Sequence, residues 1–230
     1  MRTLEMAQDL FRNKSAAVGL LIVAVIGITA VVGPSLAPYD PLIPAPLDRL
    51  QGMSSEHVLG TDSLGRDIFS RIIYGSRISL MIGAISVAIS LLPGTLLGLL
   101  AGYFGGWLDS LIMRIMDILL AFPAILLAIF ITAILGPNLT NTMIAVGIVY
   151  IPHYARIVRS SVLSLKQQLF VQAINHLGGS SFRILGKHIL PNSLPPIIVY
   201  ATLGMGTAVL QAAALGFLGL GAQPPQPEWG

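Results

Sequence analysis

Long apolar runs separate the charged residues of this chain. No charged residue lies between Lys14 and Asp40, and the most apolar part of that run covers residues 16–36. The hydrocarbon core of a bilayer is about 30 Å thick, and a helix needs about 20 apolar residues to cross it. The run therefore predicts a first membrane-spanning helix at 16–36, preceded by a short N-terminal segment, 1–15.

A secretory signal peptide is the alternative interpretation of this first run. Ser35-Leu36-Ala37 loosely resembles a cleavage site. The run is longer, however, than the apolar core of a typical signal peptide, which has about 7–15 residues, and Pro38 would follow the cut. We therefore expect an uncleaved membrane anchor.

Four more spans follow from the same reasoning. The triplet Gly136-Pro137-Asn138 is a strong turn signal and divides one long uncharged run into two. The predicted spans are 79–103, 111–135, 142–158 and 194–215. With the first span they predict an all-α fold, a polytopic transmembrane helical bundle with five spans.

Two longer segments connect the spans, at 37–77 and at 159–191. Of the 13 Lys and Arg residues, four lie on the side of the first segment and nine on the side of the second; the four are Arg49, Arg66, Arg71 and Arg77. Cytoplasmic loops of membrane proteins carry the excess of Lys and Arg. The N-terminus and 159–191 are therefore predicted to be cytoplasmic, and 37–77 to be external.

The composition supports a membrane protein and excludes several other classes. The chain is 54% hydrophobic and only 10% charged, whereas a soluble domain has about 25% charged residues. The basic residues occur in clusters that orient a membrane protein, not as the basic face of a nucleic-acid-binding protein. The absence of cysteine excludes disulfides, cysteine metal sites and thiol nucleophiles.

The cytoplasmic segment contains two short amphipathic patterns. Apolar residues recur with the period of a helix in each half. They are Val171, Ile174 and Leu177 in the first half, and Phe182, Leu185 and Ile189 in the second. The segment thus predicts a helix–turn–helix that projects from the cytoplasmic side of the membrane.

The turn between these two helices is predicted at Gly178 and Gly179, because glycine tolerates the backbone conformations that end a helix. Ser180 or Ser181 can cap the second helix, and Pro191 marks the start of the next span. The apolar face suits a groove on a partner protein or, alternatively, the membrane surface.

This segment resembles a signature of the permeases of binding-protein-dependent ABC importers: Glu-Ala-Ala, three residues, Gly, nine residues, Ile, one residue, Leu-Pro. Ala173, Gly178, Leu190 and Pro191 match it at the same spacing, while Gln172, Ile174 and His188 stand in place of the Glu, the second Ala and the Ile. The resemblance implies that the segment docks onto an ATPase and that Gln172, Ala173, Gly178, Leu190 and Pro191 couple the two proteins.

Three further stretches resemble the C-type permeases of dipeptide, oligopeptide and nickel importers, the dipeptide branch most closely. They are 59–71, 101–117 and 214–230. The resemblance implies the type-1 ABC permease fold, with a permease transmembrane domain at 78–230. It also implies a place in the bacterial cytoplasmic membrane, in contact with lipid. It also implies import of dipeptides or oligopeptides, with nickel or another small solute as the alternative.

Partner subunits are implied as well: a second homologous permease, two ABC ATPase subunits and an external substrate-binding protein. The family normally continues beyond the Pro-Glu-Trp-Gly segment into a sixth span. We therefore expect six spans in a complete permease, of which this sequence contains five. A truncated membrane scaffold that transports nothing is accordingly an alternative function.

No constellation of catalytic residues is present in the sequence. A phosphate-binding loop requires Gly-x-x-x-x-Gly-Lys-Ser/Thr, whereas Gly186-Lys187 is followed by His188 and lacks the upstream glycine. We therefore expect ATP hydrolysis on separate subunits, and no catalytic site, cofactor, metal site or nucleic-acid partner. A secondary transporter or channel would need charges in the middle of its spans, and the predicted mid-span regions contain none.

Small and polar residues within the spans are candidates for helix packing and for the transport path. Those predicted to allow close helix approach are Gly94, Gly98, Gly102, Gly204 and Gly206. Those predicted to line the pore are Ser86, Ser90, Thr207 and Gln211.

Charged residues three or four apart on a helix can form ion pairs. This spacing predicts pairs between Asp67 and Arg71 and between Arg114 and Asp117. Alternatively, Asp62 or Asp67 caps a helix.

Overall fold

Helices form the regular structure of the computed structural model, which describes residues 13–229. The α-helices are α1 (Lys14–Leu36), α2 (Ile68–Phe104), α3 (Gly106–Leu120), α4 (Ala124–Leu135), α5 (Leu139–Lys166), α6 (Leu169–His176) and α7 (Ser181–Phe217). The only β-pairing within 13–229 is one isolated bridge between Thr61 and Asp67. The predicted all-α fold class is confirmed. Most of the predicted segment 1–15, and the end of the predicted permease domain 78–230 at Gly230, lie outside the described residues.

Three helices in this part of the chain, α1, α2 and α7, are long and apolar enough to cross a membrane. α3 and α4 meet the criterion only as a bent pair, so residues 13–229 contain three span candidates, or four if that pair crosses once. The predicted count of five is not confirmed. The predicted span 142–158 lies in α5, which is not among these candidates and packs against α3, α4 and α7.

The predicted span 111–135 is not one continuous helix, because the chain turns by 90° between α3 and α4. The break lies at Ala121–Pro123, and α4 begins directly after Pro123. Proline has no N–H to donate to the preceding turn, and it disfavours the helical conformation in the residue before it. The signal for this break, Phe122-Pro123, was present inside the uncharged run.

A buried carboxylate caps the start of α2. Asp67 Oδ2 accepts hydrogen bonds from the backbone N–H and the hydroxyl of Ser70, both at 2.7 Å, and Oδ1 lies 3.0 Å from His57 Nδ1. Burial raises the pKa of Asp67, but these hydrogen bonds outweigh it and hold the pKa below its usual value. The predicted cap is confirmed. The predicted pair with Arg71 is wrong, because the capping carboxylate faces Ser70 and His57 instead.

The described residues divide into two compact units, one comprising the residues up to Leu80 together with Pro224–Trp229, the other Met81–Gln223. In the first unit, Trp229 is bound to the early turns of α2. Its Nε1 donates to Ile72 O at 2.9 Å, and its backbone N–H donates to Ser79 Oγ at 3.2 Å. The short segment 224–229 is thus held by specific hydrogen bonds, although it has no regular structure.

In the second unit, a row of glycines brings α2 against α5. A Cβ added to Gly98 would lie 2.5 Å from Ala155 O and 2.7 Å from Val158 Cβ. Gly94 and Gly102, one turn to either side, are equally close to α5, so the predicted close approach is confirmed at all three glycines. Gly204 faces the Tyr154 hydroxyl, whereas the prediction for Gly206 is wrong, since no side-chain or distant backbone atom lies within 4 Å of a Cβ there.

Two ion pairs join α3 to α5. Arg159 donates to both carboxylate oxygens of Asp109 at 2.6 Å, from Nε and from Nη2. Arg156 Nη2 lies 2.6 Å from Asp117 Oδ1. The predicted pair of Arg114 with Asp117 is wrong, because Asp117 faces the neighbouring helix rather than along its own.

Candidate functional site

The segment between α5 and α7 is a short helix followed by a sharp reversal. α6 ends at His176, and Gly178 has a φ of +78°. The N–H of Gly178 donates to Asn175 O and that of Gly179 donates to Ile174 O, both at 3.0 Å. These two bonds form a Schellman cap, which needs a left-handed residue at the position of Gly178 and therefore favours glycine. The predicted turn at Gly178 is confirmed.

The second helix of the segment differs from the prediction. It does not end before Pro191, because α7 runs without interruption from Ser181 to Phe217. Ser180 precedes the helix but makes no capping hydrogen bond with its side chain, so the predicted serine cap is wrong. Ile184–Ile189 form a π-helical turn. Such turns commonly occur where the regular ladder of a helix is disturbed, and here the turn comes directly before Leu190 and Pro191.

Apolar side chains anchor α6 and the start of α7 to the helix bundle. They form one buried cluster with residues from the second half of α5. Its members are Val158, Val162, Val171, Ile184, Leu185, Ile189 and Ile197. Leu91, Leu99 and Tyr103 of α2 pack against the same cluster. Because a close-packed interior transmits displacement, a force on α6 would reach α2, α5 and α7 together.

Other apolar side chains of the same segment are exposed. Leu177 is 87% exposed and Phe182 is 82% exposed. The predicted apolar faces therefore divide into buried anchors, such as Val171, and exposed residues beside the turn. We call Leu169, Leu177 and Phe182 the apolar tip; all three are exposed.

The predicted coupling residues lie on both sides of this tip. Gln172, Ala173 and Gly178 are exposed on α6 and its turn, and Pro191 is exposed on α7, while Leu190 is half-buried. The Gln172 side chain donates a hydrogen bond to Gln167 O at 3.3 Å. The first three thus share the surface around the tip, whereas Leu190 and Pro191 follow the π-helical turn.

A cavity of about 100 Å³ lies among α2, α5 and α7. Its lining includes three of the four residues predicted to line a pore, Ser86, Ser90 and Thr207. Gln211, one turn further along α7, is not among the lining residues. Three tyrosines that were not predicted from the sequence line the same cavity: Tyr150, Tyr154 and Tyr200. The spacing of Tyr150 and Tyr154, four apart within a predicted span, was the available signal.

Two hydroxyl groups at this cavity make no hydrogen bond of normal length and angle within residues 13–229, although Ser90 lies beside one of them, that of Tyr154. They belong to Ser86 and Tyr154, and both residues are about 99% buried, with 1% exposed. Ser90, by contrast, donates to the carbonyl oxygens of Ser86 and Val87, each at 3.0 Å. Tyr154 and Tyr200 are in edge-to-face contact, with ring centroids 5.0 Å apart.

Comparison with known proteins places these features in a family. Residues 94–230 match the family described as "Binding-protein-dependent transport system inner membrane component". Residues 3–52 match the "N-terminal TM domain of oligopeptide transport permease C". The first match covers more than half of the chain.

Curated relatives align with nearly the whole chain. The Dipeptide transport system permease protein DppC of Alkalihalophilus pseudofirmus is 55% identical, over 98% of this chain and 74% of the relative. The Di/tripeptide transport system permease protein DppC of Pseudomonas aeruginosa is 49% identical, over 98% and 77%. The Glutathione transport system permease protein GsiD of Pectobacterium atrosepticum is 49% identical, over 95% and 73%. The chain therefore belongs to the binding-protein-dependent ABC permeases of the inner membrane, as a multi-pass, C-type subunit.

Proposed function

We propose that this chain is the permease subunit of an ATP-driven importer that carries dipeptides or oligopeptides across the cytoplasmic membrane. The names of the three relatives all specify short peptides as cargo: dipeptides, di- and tripeptides, and glutathione. In this proposal, two ABC ATPase subunits, a second homologous permease and an external substrate-binding protein complete the transporter. The N-terminus and the segment 159–191 face the cytoplasm.

The observation that carries the proposal is the apolar tip on an anchored base. The exposed side chains of Leu177 and Phe182 do not contribute to the core of this chain. Burial of either one against a partner would stabilise a complex by about 1.5–3 kcal/mol. The buried residues below it, such as Val171 and Ile184, connect the tip to the helix bundle. The tip is therefore suited to receive a push or pull from an ATPase subunit and to pass it on.

Such coupling requires a minimum difference in binding free energy. A docking contact shifts the permease between two conformations only if its free energy differs between them. A shift from 1:99 to 99:1 requires about 5.5 kcal/mol of differential binding. Burial of two or three large apolar side chains, with Gln172 and Ala173 beside them, would supply a free energy of this order. The contact would form again in each cycle of ATP binding.

We assign the transport path to the side of the bundle that contains Ser86, Ser90 and Thr207. These residues lie on α2 and α7. Both helices also take part in the buried cluster below the tip, because α7 contributes Ile184 and Ile189 to it and Leu91 of α2 packs against it. A motion received at the tip would therefore change the spacing of the helices that carry them. The pore itself would form with the homologous permease.

Charge substitutions at the tip test the proposal. In the Leu177→Asp and Phe182→Asp variants, an exposed position becomes charged, so the fold should be unaffected, while co-purification with the ATPase and peptide uptake should both fall at least tenfold. Leu47→Asp is the matched control, because Leu47 is 97% exposed and lies in the predicted external segment. Normal assembly and uptake by both tip variants would refute the docking role. If the segment instead lay on the membrane surface, the same substitutions would weaken its contact with lipid and leave co-purification with the ATPase unchanged.

Gly178 offers a second test of the same surface. Gly178→Val places a β-branched residue at a φ of +78°, which such residues rarely adopt. Gly186→Val is the control, since an added Cβ at either glycine meets no atom within 4 Å. We expect loss of ATPase co-purification for the first variant only; equal behaviour of the two would contradict a specific role of the Gly178 turn.

A further inference from the structure

We infer that the cavity among α2, α5 and α7 binds an uncharged amide group, the peptide bond of the transported substrate. This inference rests on the proposed function and specifies which chemical group this subunit recognises. The observations that carry it are the two unpartnered hydroxyls, the uncharged lining and the size of the cavity.

The hydroxyls of Ser86 and Tyr154 define the polar part of the site. Each is buried without a hydrogen-bond partner among the described residues, and a buried hydroxyl without a partner is unfavourable. A group that can both donate and accept would relieve both. A peptide unit carries one N–H donor and one C=O acceptor, and a hydroxyl can pair with either.

The rest of the lining excludes a charged ligand group. None of the eleven residues that line the cavity is charged. A carboxylate or ammonium in this cavity would lose its water without gaining a counter-ion. The charged ends of a dipeptide must therefore lie outside, and the central amide is the part that fits.

The volume also agrees with an amide. At about 100 Å³, the cavity is several times larger than the roughly 10–15 Å³ that a single water requires. The ring of Tyr200, edge-to-face with that of Tyr154, offers a flat wall beside the planar peptide unit.

Gly204 controls access to the Tyr154 hydroxyl. A Cβ at Gly204 would lie only 2.8 Å from that oxygen, so α7 is as close to it as a residue without a side chain permits. Both unpartnered oxygens are covered in this conformation. The amide therefore reaches them when α7 moves away from α5, which makes recognition part of the conformational cycle.

Two pairs of measurements test the inference on the complete transporter, reconstituted in proteoliposomes with its ATPases, second permease and binding protein. Uptake of dialanine is measured first. Gly204→Ala should lower it at least fivefold, while Gly206→Ala, two residues further on the same helix and facing open space, should leave it unchanged. Equal effects of the two substitutions would overturn the inference.

Tyr154→Phe separates binding from structure. Removing an unpartnered hydroxyl should leave the thermal stability of the complex unchanged or raise it, yet raise the apparent KM for dialanine about 2- to 12-fold, as expected for one lost hydrogen bond. The variant should also discriminate less than the wild type between dialanine and its ester analogue, in which oxygen replaces the amide N–H. The binding protein is common to both transporters, so this change reports on the permease.

The outcomes distinguish the two proposals. If the wild type imports dialanine and Tyr154→Phe matches it in both KM and amide preference, the inference fails and the proposed function stands. If the wild-type complex imports no peptide, the proposed function fails and the inference falls with it. A loss of stability in Tyr154→Phe together with unchanged amide preference would show a structural role and refute the inference.

Discussion

The close contact between α2 and α5 at Gly98 gives the sharpest test of the fold. At Gly98, an added Cβ would lie 2.5 Å from Ala155 O, 2.7 Å from Val158 Cβ and 3.1 Å from Arg159 N. Two of these three atoms belong to the backbone of α5 and cannot rotate aside. Gly98→Ala therefore forces the two helices apart, although it adds only one carbon atom.

The magnitude follows from a comparison of two alanine substitutions. Alanine is favoured over glycine in a helix by about 1 kcal/mol, and this gain applies equally to Gly98→Ala and to the control Gly206→Ala. Overpacking, which typically costs about 1–3 kcal/mol in a well-packed core, applies only at Gly98, since the added Cβ at Gly206 meets no atom within 4 Å. The two variants should therefore differ by about 1–3 kcal/mol, or about 5- to 140-fold in the unfolding equilibrium.

Reversible unfolding in mixed detergent micelles, followed by helical circular dichroism, measures this difference directly. Gly98→Ala should unfold at a lower denaturant concentration than Gly206→Ala. If the two variants agree within about 0.5 kcal/mol, which is the usual limit for independent surface substitutions, α2 and α5 do not approach each other as described.

Two further predictions concern charged groups. The pKa of Asp67 is held below its usual 3.8, so the contribution of its carboxylate to stability is complete above about pH 5 and is lost as the pH falls towards the lowered value. The unfolding temperature of Asp67→Asn should therefore decrease less between about pH 5 and pH 3 than that of the wild type. Parallel decreases in the two proteins would contradict this. Asp109→Asn removes the bidentate partner of Arg159. Breaking a fully buried pair costs about 3–5 kcal/mol, and this partly exposed pair should cost less. The cost should still exceed that of Asp117→Asn at the more exposed pair, for which about 0–1 kcal/mol is expected. Thermal unfolding of both variants tests the second prediction, and an equal cost at the two sites would contradict it.

The sequence predicted the fold class because uncharged runs and turn signals are local properties. Gly178 was identified as a helix-ending turn for the same reason, since a left-handed cap favours glycine at one position. The bend at Pro123 was also local, but the run around it was long enough to suggest a continuous span.

The errors concern contacts between distant segments. Spacing suggested that Asp117 pairs with Arg114, three residues earlier on its own helix, but the carboxylate contacts Arg156. No pattern in α3 alone identifies a partner on α5, because that depends on how the helices pack. The same limitation hid the Tyr154 and Ser86 hydroxyls, which meet only at a cavity formed by three helices.

The docking proposal requires that the apolar tip lies in the cytoplasm, and the absence of cysteine from the chain makes its position directly measurable. Single variants Leu177→Cys and Leu47→Cys are treated with a membrane-impermeant maleimide in right-side-out and inside-out membrane vesicles. We expect labelling of Leu47→Cys only in right-side-out vesicles. Leu177→Cys should be labelled only in inside-out vesicles, and purified ATPase should protect it. Labelling of Leu177→Cys in right-side-out vesicles would show that the tip is external and would refute its docking onto an ATPase.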